Sequence, residues 1–237
     1  MPLRIIKSHE FDPKSVTFSG MKKGKIGNKT VYLQSGGKKI YLQLPFLRSP
    51  YGLSSYTDDS SGKTTWSLDL SLDTENDDAQ ALRATLMELD DLIVKEVAKN
   101  SEEWLGKTFN EDVVKQALYK PIVRPGKDDY ADTLKLKITT NQDGSFVPET
   151  FNMSRENVEL TSIEKGQKCL AIVDVASCWV IDNKIGVTCR LQQVLLDRSE
   201  RLPSFAFEDV PGLAPAPEKS TAAAVGDFVD DEDLIDE

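Results

Sequence analysis

The stretch KCLAIVDVASCWVIDNKIGVTCRLQQVLLD (168–197) decides the fold. Its two arms are rich in Val, Ile, Leu and Cys, the residues that suit a pleated, half-buried surface. Asp182-Asn183 supplies a tight turn between them. The end of the body therefore reads as two long neighbouring strands. Upstream, TLKLKITT (133–140) sets Leu134, Leu136 and Ile138 against Lys135, Lys137 and Thr139, the period-2 pattern of a strand with one wet face. TTWSLDLSLD (64–73) repeats the pattern, with Trp66, Leu68, Leu70 and Leu72 on one side. Further up, KTVYLQS (29–35) and KKIYLQLP (38–45) read as a hairpin turned at Gly36-Gly37. In each Tyr-Leu pair one side chain faces in and the other out.

One segment breaks the strand pattern. Between residues 77 and 99, Leu82, Leu86, Leu89, Ile93 and Val97 step by three or four, which predicts an amphipathic helix. Acids crowd its first turn and Lys95 and Lys99 sit near its end, as the helix dipole favours. Asn100-Ser101 ends it and opens a short turn through Trp104, and Asn110 caps a further helix over 111–118. From Pro203 the composition changes to Pro, Ala and Ser without a periodic face. The expected organisation is all-β dominated: residues 1–202 an OB-fold barrel of five or more antiparallel strands with a helical insertion, and 203–237 a disordered linker and acidic tail.

Charge divides the chain in the same places. The formal net charge is −10. Residues 1–51 hold ten bases and two acids, whereas 208–237 hold one base and ten acids. The basic segment interleaves cations with rings: Lys22, Lys23, Lys25, Lys29, Tyr32, Lys38, Lys39, Tyr41, Phe46, Arg48 and Tyr51. A second set comprises Tyr119, Lys120, Arg124, Lys127, Tyr130, Lys135 and Lys137. Lysines that track phosphates and rings that stack on bases are the mixture that binds single strands without a sequence code. Tyr32 and Tyr41 read equally as core or as stacking surface. Trp66 and Trp179, each inside an apolar register, read as core.

Enzyme signatures fail one by one. SSGKTTW (60–66) ends like a phosphate loop, but Thr57 stands where the first glycine belongs, and the segment enters a strand rather than a helix. The acids at 69–78 lack the spacing of a calcium loop. A single histidine, His9, cannot build the usual nucleophile or zinc sites. Cys169, Cys178 and Cys189 have no framework spacing and read as buried thiols in a reducing compartment. No catalytic residue, metal or cofactor is expected. No run is long and apolar enough to cross a membrane, and the start does not read as a signal peptide.

Several stretches resemble the phage T7-type family of single-stranded DNA-binding proteins, with relatives in nucleocytoplasmic large DNA viruses. They are YLQLPFLRSPYGLSSY (41–56), WSLDLS to LMELDDLI (66–93), NSEEWLGK (100–107), YADTLKLKI (130–138) and the terminal DDEDLIDE. The resemblance implies an OB-fold, sequence-independent single-strand binding in viral replication, recombination and repair, homodimers, and an intracellular site of action, in the host nucleus or at cytoplasmic replication sites. It also implies a tail that contacts polymerase or helicase-primase. That tail comprises Phe228, Asp230, Asp231, Glu232, Asp233, Leu234, Ile235, Asp236 and Glu237. In the family an aromatic residue is commonly last, whereas here Phe228 lies inside the tail and Glu237 ends it. The alternative is a non-enzymatic virion structural or assembly protein that uses the barrel as a protein-interaction module.

Overall fold

The computed structural model describes residues 4–24, 28–197 and 207. The expectations for the linker and acidic tail, and for Lys25, lie outside the described residues. Chain contacts divide the protein into Met1–Ser199 and Glu200–Glu237, and the barrel belongs to the first.

Strands dominate. In chain order they are β1 (Ile5–Lys7), β2 (Val16–Phe18), β3 (Lys22–Lys23), β4 (Lys29–Ser35), β5 (Ile40–Gln43), β6 (Leu47–Arg48), β7 (Leu53–Thr57) and β8 (Thr64–Ser71). The helical insertion follows: α1 (Asp77–Lys99), α2 (Ser101–Leu105) and α3 (Glu111–Val113), with a wide helical turn over Val114–Leu118. The remainder are β9 (Tyr119–Lys120), β10 (Val123–Arg124), β11 (Thr133–Ile138), β12 (Glu149–Phe151), β13 (Asn157–Val158), β14 (Lys168–Ile181) and β15 (Lys184–Leu196).

The β14–β15 hairpin is the spine. Asp182 and Asn183 both take positive φ, 47° and 59°, as a two-residue turn matched to strand twist requires. Its ladder slips twice, between Ile172 and Val173 and between Val175 and Ser177. Each slip is a bulge that bends the pair and increases its twist. The second also resets the inward phase of β14. Cys169, Ala171, Val173 and Val175 are buried before it, and Cys178 and Val180 after it.

Closure follows from the registers. β5 and β6 lie antiparallel to β14, β14 to β15, β8 to β11 and β7 to β8, while β11 runs parallel to β15 at Lys137↔Arg190. The chain from Ile40 to Thr57 thus lines β14 with its first part and β8 with its last, so one run joins the two edges of a five-stranded OB-fold barrel. The crossing point is Gly52. Its φ of +67°, and a Cβ that would stand 3.1 Å from the Ile163 carbonyl oxygen, make any larger residue strained there. Buried Ser49 fixes the turn by accepting from the Gly52 amide at 3.1 Å.

The expected 29–45 hairpin is not formed as one. Ser35 and Lys38 exchange backbone hydrogen bonds around Gly36-Gly37, and there the pairing between the arms stops. β4 and β5 instead lie end to end along β14, at Ser177–Val180 and Ile172–Val175 respectively. β14 is long enough to take both arms, so a longer ladder is made with it than the arms make with each other.

The helix matches its expected bounds. Asn76 caps α1 by accepting from the Ala79 amide at 3.1 Å. Leu82, Leu86, Leu89, Ile93 and Val97 are buried in the same apolar cluster as the inner faces of the strands. Gly106, with φ 78°, ends α2, and Asn110 caps α3 through the Val113 amide at 2.8 Å. The three cysteines are buried, and burial pushes the Cys169 and Cys189 thiols up to about 12. Among the described residues no helix is long and apolar enough to cross a membrane.

Candidate nucleic-acid interface

Outward side chains on paired strands fall in rows, because register fixes which residues stand opposite one another and neighbouring strands lie about 4.8 Å apart. One row reads Tyr41, Asp174, Arg190, Lys137, Ser67 and Ser54 across six strands. Further along β14 the next reads Tyr32, Ser177 and Thr188, and the third Thr30, Trp179, Gly186 and Lys120. Rings and cations are thus gathered on one curved strand face. Lys22 lies over the Tyr32 ring at 5.2 Å from its centroid, and Lys120 over the Trp179 ring at 5.7 Å. Each pair joins an aromatic face to a positive charge, the two elements a nucleotide needs.

Trp179 faces out, contrary to the sequence expectation of a core residue. The bulge after Val175 is the reason: with the phase reset, Cys178 and Val180 point inward and the indole between them points out. Its room comes from Gly186 opposite, where an added Cβ would stand 2.5 Å from the indole ring. Trp66 does pack inward, edge-on to Phe146 at 5.2 Å. Tyr119 turns inward as well, where its hydroxyl donates to Asp90 at 2.6 Å.

The other expected residues separate into groups. Tyr32, 41% exposed, and Tyr41, half-buried, both face out while Leu33 and Leu42 face in. Lys39 shares a cavity with Tyr32 and Lys22. Lys38 is exposed beside it, in the turn between β4 and β5. Lys135 and Lys137 point outward on β11, opposite Asp69 and Ser67, and Arg124 stands opposite Thr133 on the same strand. Lys29 is committed elsewhere: its ammonium donates to the Trp104 carbonyl at 2.9 Å and ties β4 to the end of α2. Arg48 pairs with Asp73 at 3.6 Å and lies in register with Lys168. That is nine residues along β14 from the partner of Tyr32, about 30 Å away. Tyr51 is exposed in the following turn. Arg190 was missed by the sequence reading, because a lone arginine in an apolar strand carries no signal until its row is known.

A buried carboxylate holds the strand that carries Lys120. Asp90 of α1 accepts from the Tyr119 hydroxyl at 2.6 Å and from the Ile122 and Val123 amides at 2.9 and 3.3 Å. Burial pushes its pKa up to about 6, against the pull of those three donors. About two turns earlier on α1, the Arg83 guanidinium donates to Asp132 at 2.7 Å, and the Gly126 amide donates to the same carboxylate at 3.0 Å. The helix thus fixes the 119–132 segment from beneath.

Fold and face together define a closed OB-fold barrel with a cationic, aromatic strand surface. The chain belongs to the family of unknown function DUF5871, whose model matches residues 66–210. No curated protein matches it. Among solved structures it is similar to gp2.5, a single-stranded DNA-binding protein encoded by bacteriophage T7, with a TM-score of 0.46 and 12% identity over 75% of this chain and 100% of that one. It is also similar to the single-stranded DNA-binding protein from bacteriophage Enc34 in complex with ssDNA, with a TM-score of 0.39 and 15% identity over 76% and 91% of the two chains.

Proposed function

We propose that this protein binds single-stranded DNA without a sequence code, and that the face formed by Tyr32, Tyr41, Trp179, Lys22, Lys120, Lys137 and Arg190 is where it does so. The observation that carries this reading is the cross-strand register, which supports a continuous path of rings and cations on one curved surface. Phosphates pair with the cations and bases stack on the rings. No bond is made or broken in this activity, so it needs neither catalytic residues nor a cofactor.

The setting we propose is viral DNA replication, recombination and repair inside the infected cell. The tail residues Phe228, Leu234 and Ile235, in their acidic frame, offer apolar anchors to a basic replication partner such as a polymerase or helicase-primase. The tail's charge of −9 (208–237) nearly mirrors the +8 of residues 1–51. The tail therefore competes with DNA for the basic face through a linker long enough to reach it.

Gel-shift titrations with single- and double-stranded oligonucleotides at about 50 and 200 mM salt test the proposal. Single strands should be preferred, and binding should weaken steeply at the higher salt. Equal affinity for both forms at low salt overturns it. Deleting 227–237 should tighten single-strand binding at low salt, and unchanged affinity would remove the competition.

A further inference from the structure

Beside Tyr32 is a 220 Å³ cavity lined by Lys22, Tyr32, Lys39, Asp174, Ala176 and Arg190, among others. Asp174 is the one acid among the charged residues that line it, beside Lys22, Lys39 and Arg190. Asp174 is only 4% exposed, and its Oδ1 has no hydrogen-bond partner among the described residues. Its register neighbours are Tyr41 on one side and Arg190 on the other. Burial raises its pKa, and the positive charges of Lys39 and Arg190 oppose that rise. A buried acceptor without a donor is costly, so the site favours a ligand that brings one.

We propose that Asp174 reads the pairing edge of a base stacked on Tyr32, favouring bases that carry an amino group and rejecting thymine. The inference rests on the single-strand binding proposed above. Cytosine presents its N4 amino group and adenine its N6 amino group, and a carboxylate accepts from either. Guanine offers N1–H and the N2 amino group side by side, a match to both carboxylate oxygens. Thymine offers one N–H between two carbonyl oxygens, which face the carboxylate with like charge. Lys22, Lys39 and Arg190 surround the cavity and take the flanking phosphates. The backbone and the stacking are indifferent to sequence, so this one position introduces a preference into an otherwise general binder.

Fluorescence anisotropy with labelled dC and dT homopolymers of equal length tests this in the full chain. The wild type should bind dC about tenfold more tightly than dT, the discrimination of one good side-chain–base pair. Asp174→Asn and Asp174→Ala should both bring the ratio close to one. Removing the negative charge adds the same electrostatic gain for both strands, so a change in the ratio reports the lost base contact alone. Equal wild-type affinity for dC and dT overturns the inference while leaving single-strand binding intact. A ratio that persists in both variants overturns it too. Failure of both strands to bind at low salt overturns the binding proposal itself, and the base preference with it.

Discussion

The outer face of β14 and β15 has two halves that share the same strands but not the same surface. Beyond the first slip stand Asp174 and Arg190, and beyond the second Trp179 and Gly186, with Lys120 and Tyr32 alongside. Below both slips stand Leu170, Ile172 and Leu195, which line a 320 Å³ cavity with Phe151 and Arg155. Position in a strand therefore does not determine what a face can bind. The cavity of the lower half can exclude water, but its lining offers a single cation, Arg155. The upper half supplies charge and ring faces together. What separates them is a pair of register slips, each of which changes which side chains face out.

The largest test of that contrast removes the rings. Tyr32→Ala and Trp179→Ala should each weaken single-strand binding by roughly 1–3 kcal/mol, the usual contribution of a stacked base. Leu170→Ala and Ile172→Ala, on the same strand face, should leave affinity within error of the wild type. Anisotropy on the four variants at one salt concentration decides it. If the aliphatic pair matters as much as the aromatic pair, the division between halves is wrong. Gly186→Ala is a finer version, since the added Cβ would meet the indole at 2.5 Å and displace the ring without deleting it.

The second test acts on the support of the upper half alone. Asp90 has its pKa raised from 3.8 to about 6, so the folded state holds its proton more tightly than the unfolded chain does. The stability this contributes is fully present below about pH 4 and is lost as pH rises through about 6. The difference corresponds to about 3 kcal/mol. Asp90→Asn has no such titration. The stability advantage of wild type over variant, followed by urea unfolding from pH 4 to 7.5, should therefore shrink as pH rises. An advantage that stays constant or grows would show that Asp90 is not held in the buried, proton-retaining site described here.

Much of the barrel was legible in the residues. The alternation at 64–73 and 133–140, the i, i+3, i+4 spacing at 82–97 and the Asp182-Asn183 turn are local patterns, and each is recovered in the fold. What escaped was non-local. Nothing in KTVYLQSGGKKIYLQLP reveals that its two arms pair with β14 rather than with each other, because that choice depends on a partner roughly 130 to 150 residues away. Trp179 was misread for a related reason: a bulge reverses the phase of every residue beyond it, and a single strand's sequence does not mark where the bulge falls. Arg190 becomes part of the face only through its partners Asp174 and Lys137. Tyr32 and Tyr41, which read equally as core or as stacking surface, turn outward only once their strands are placed against β14.

The smallest expected effect distinguishes the cations that face the path from those already committed. Arg190→Ala and Lys137→Ala remove outward charges from the central row, so each should lower the salt dependence by about 0.7 in the slope of log K against log[salt] if it neutralises one phosphate. Lys29 spends its ammonium on the Trp104 carbonyl, and Arg48 is ion-paired with Asp73 at the remote end of β14. Lys29→Gln and Arg48→Gln should therefore leave that slope unchanged, although Lys29→Gln should lower stability through the lost tie to α2. Titrations at four or more salt concentrations resolve a change of this size. A slope that falls equally in all four variants would mean that the strand contacts the barrel diffusely, as a charged body, rather than along the rows of its upper half.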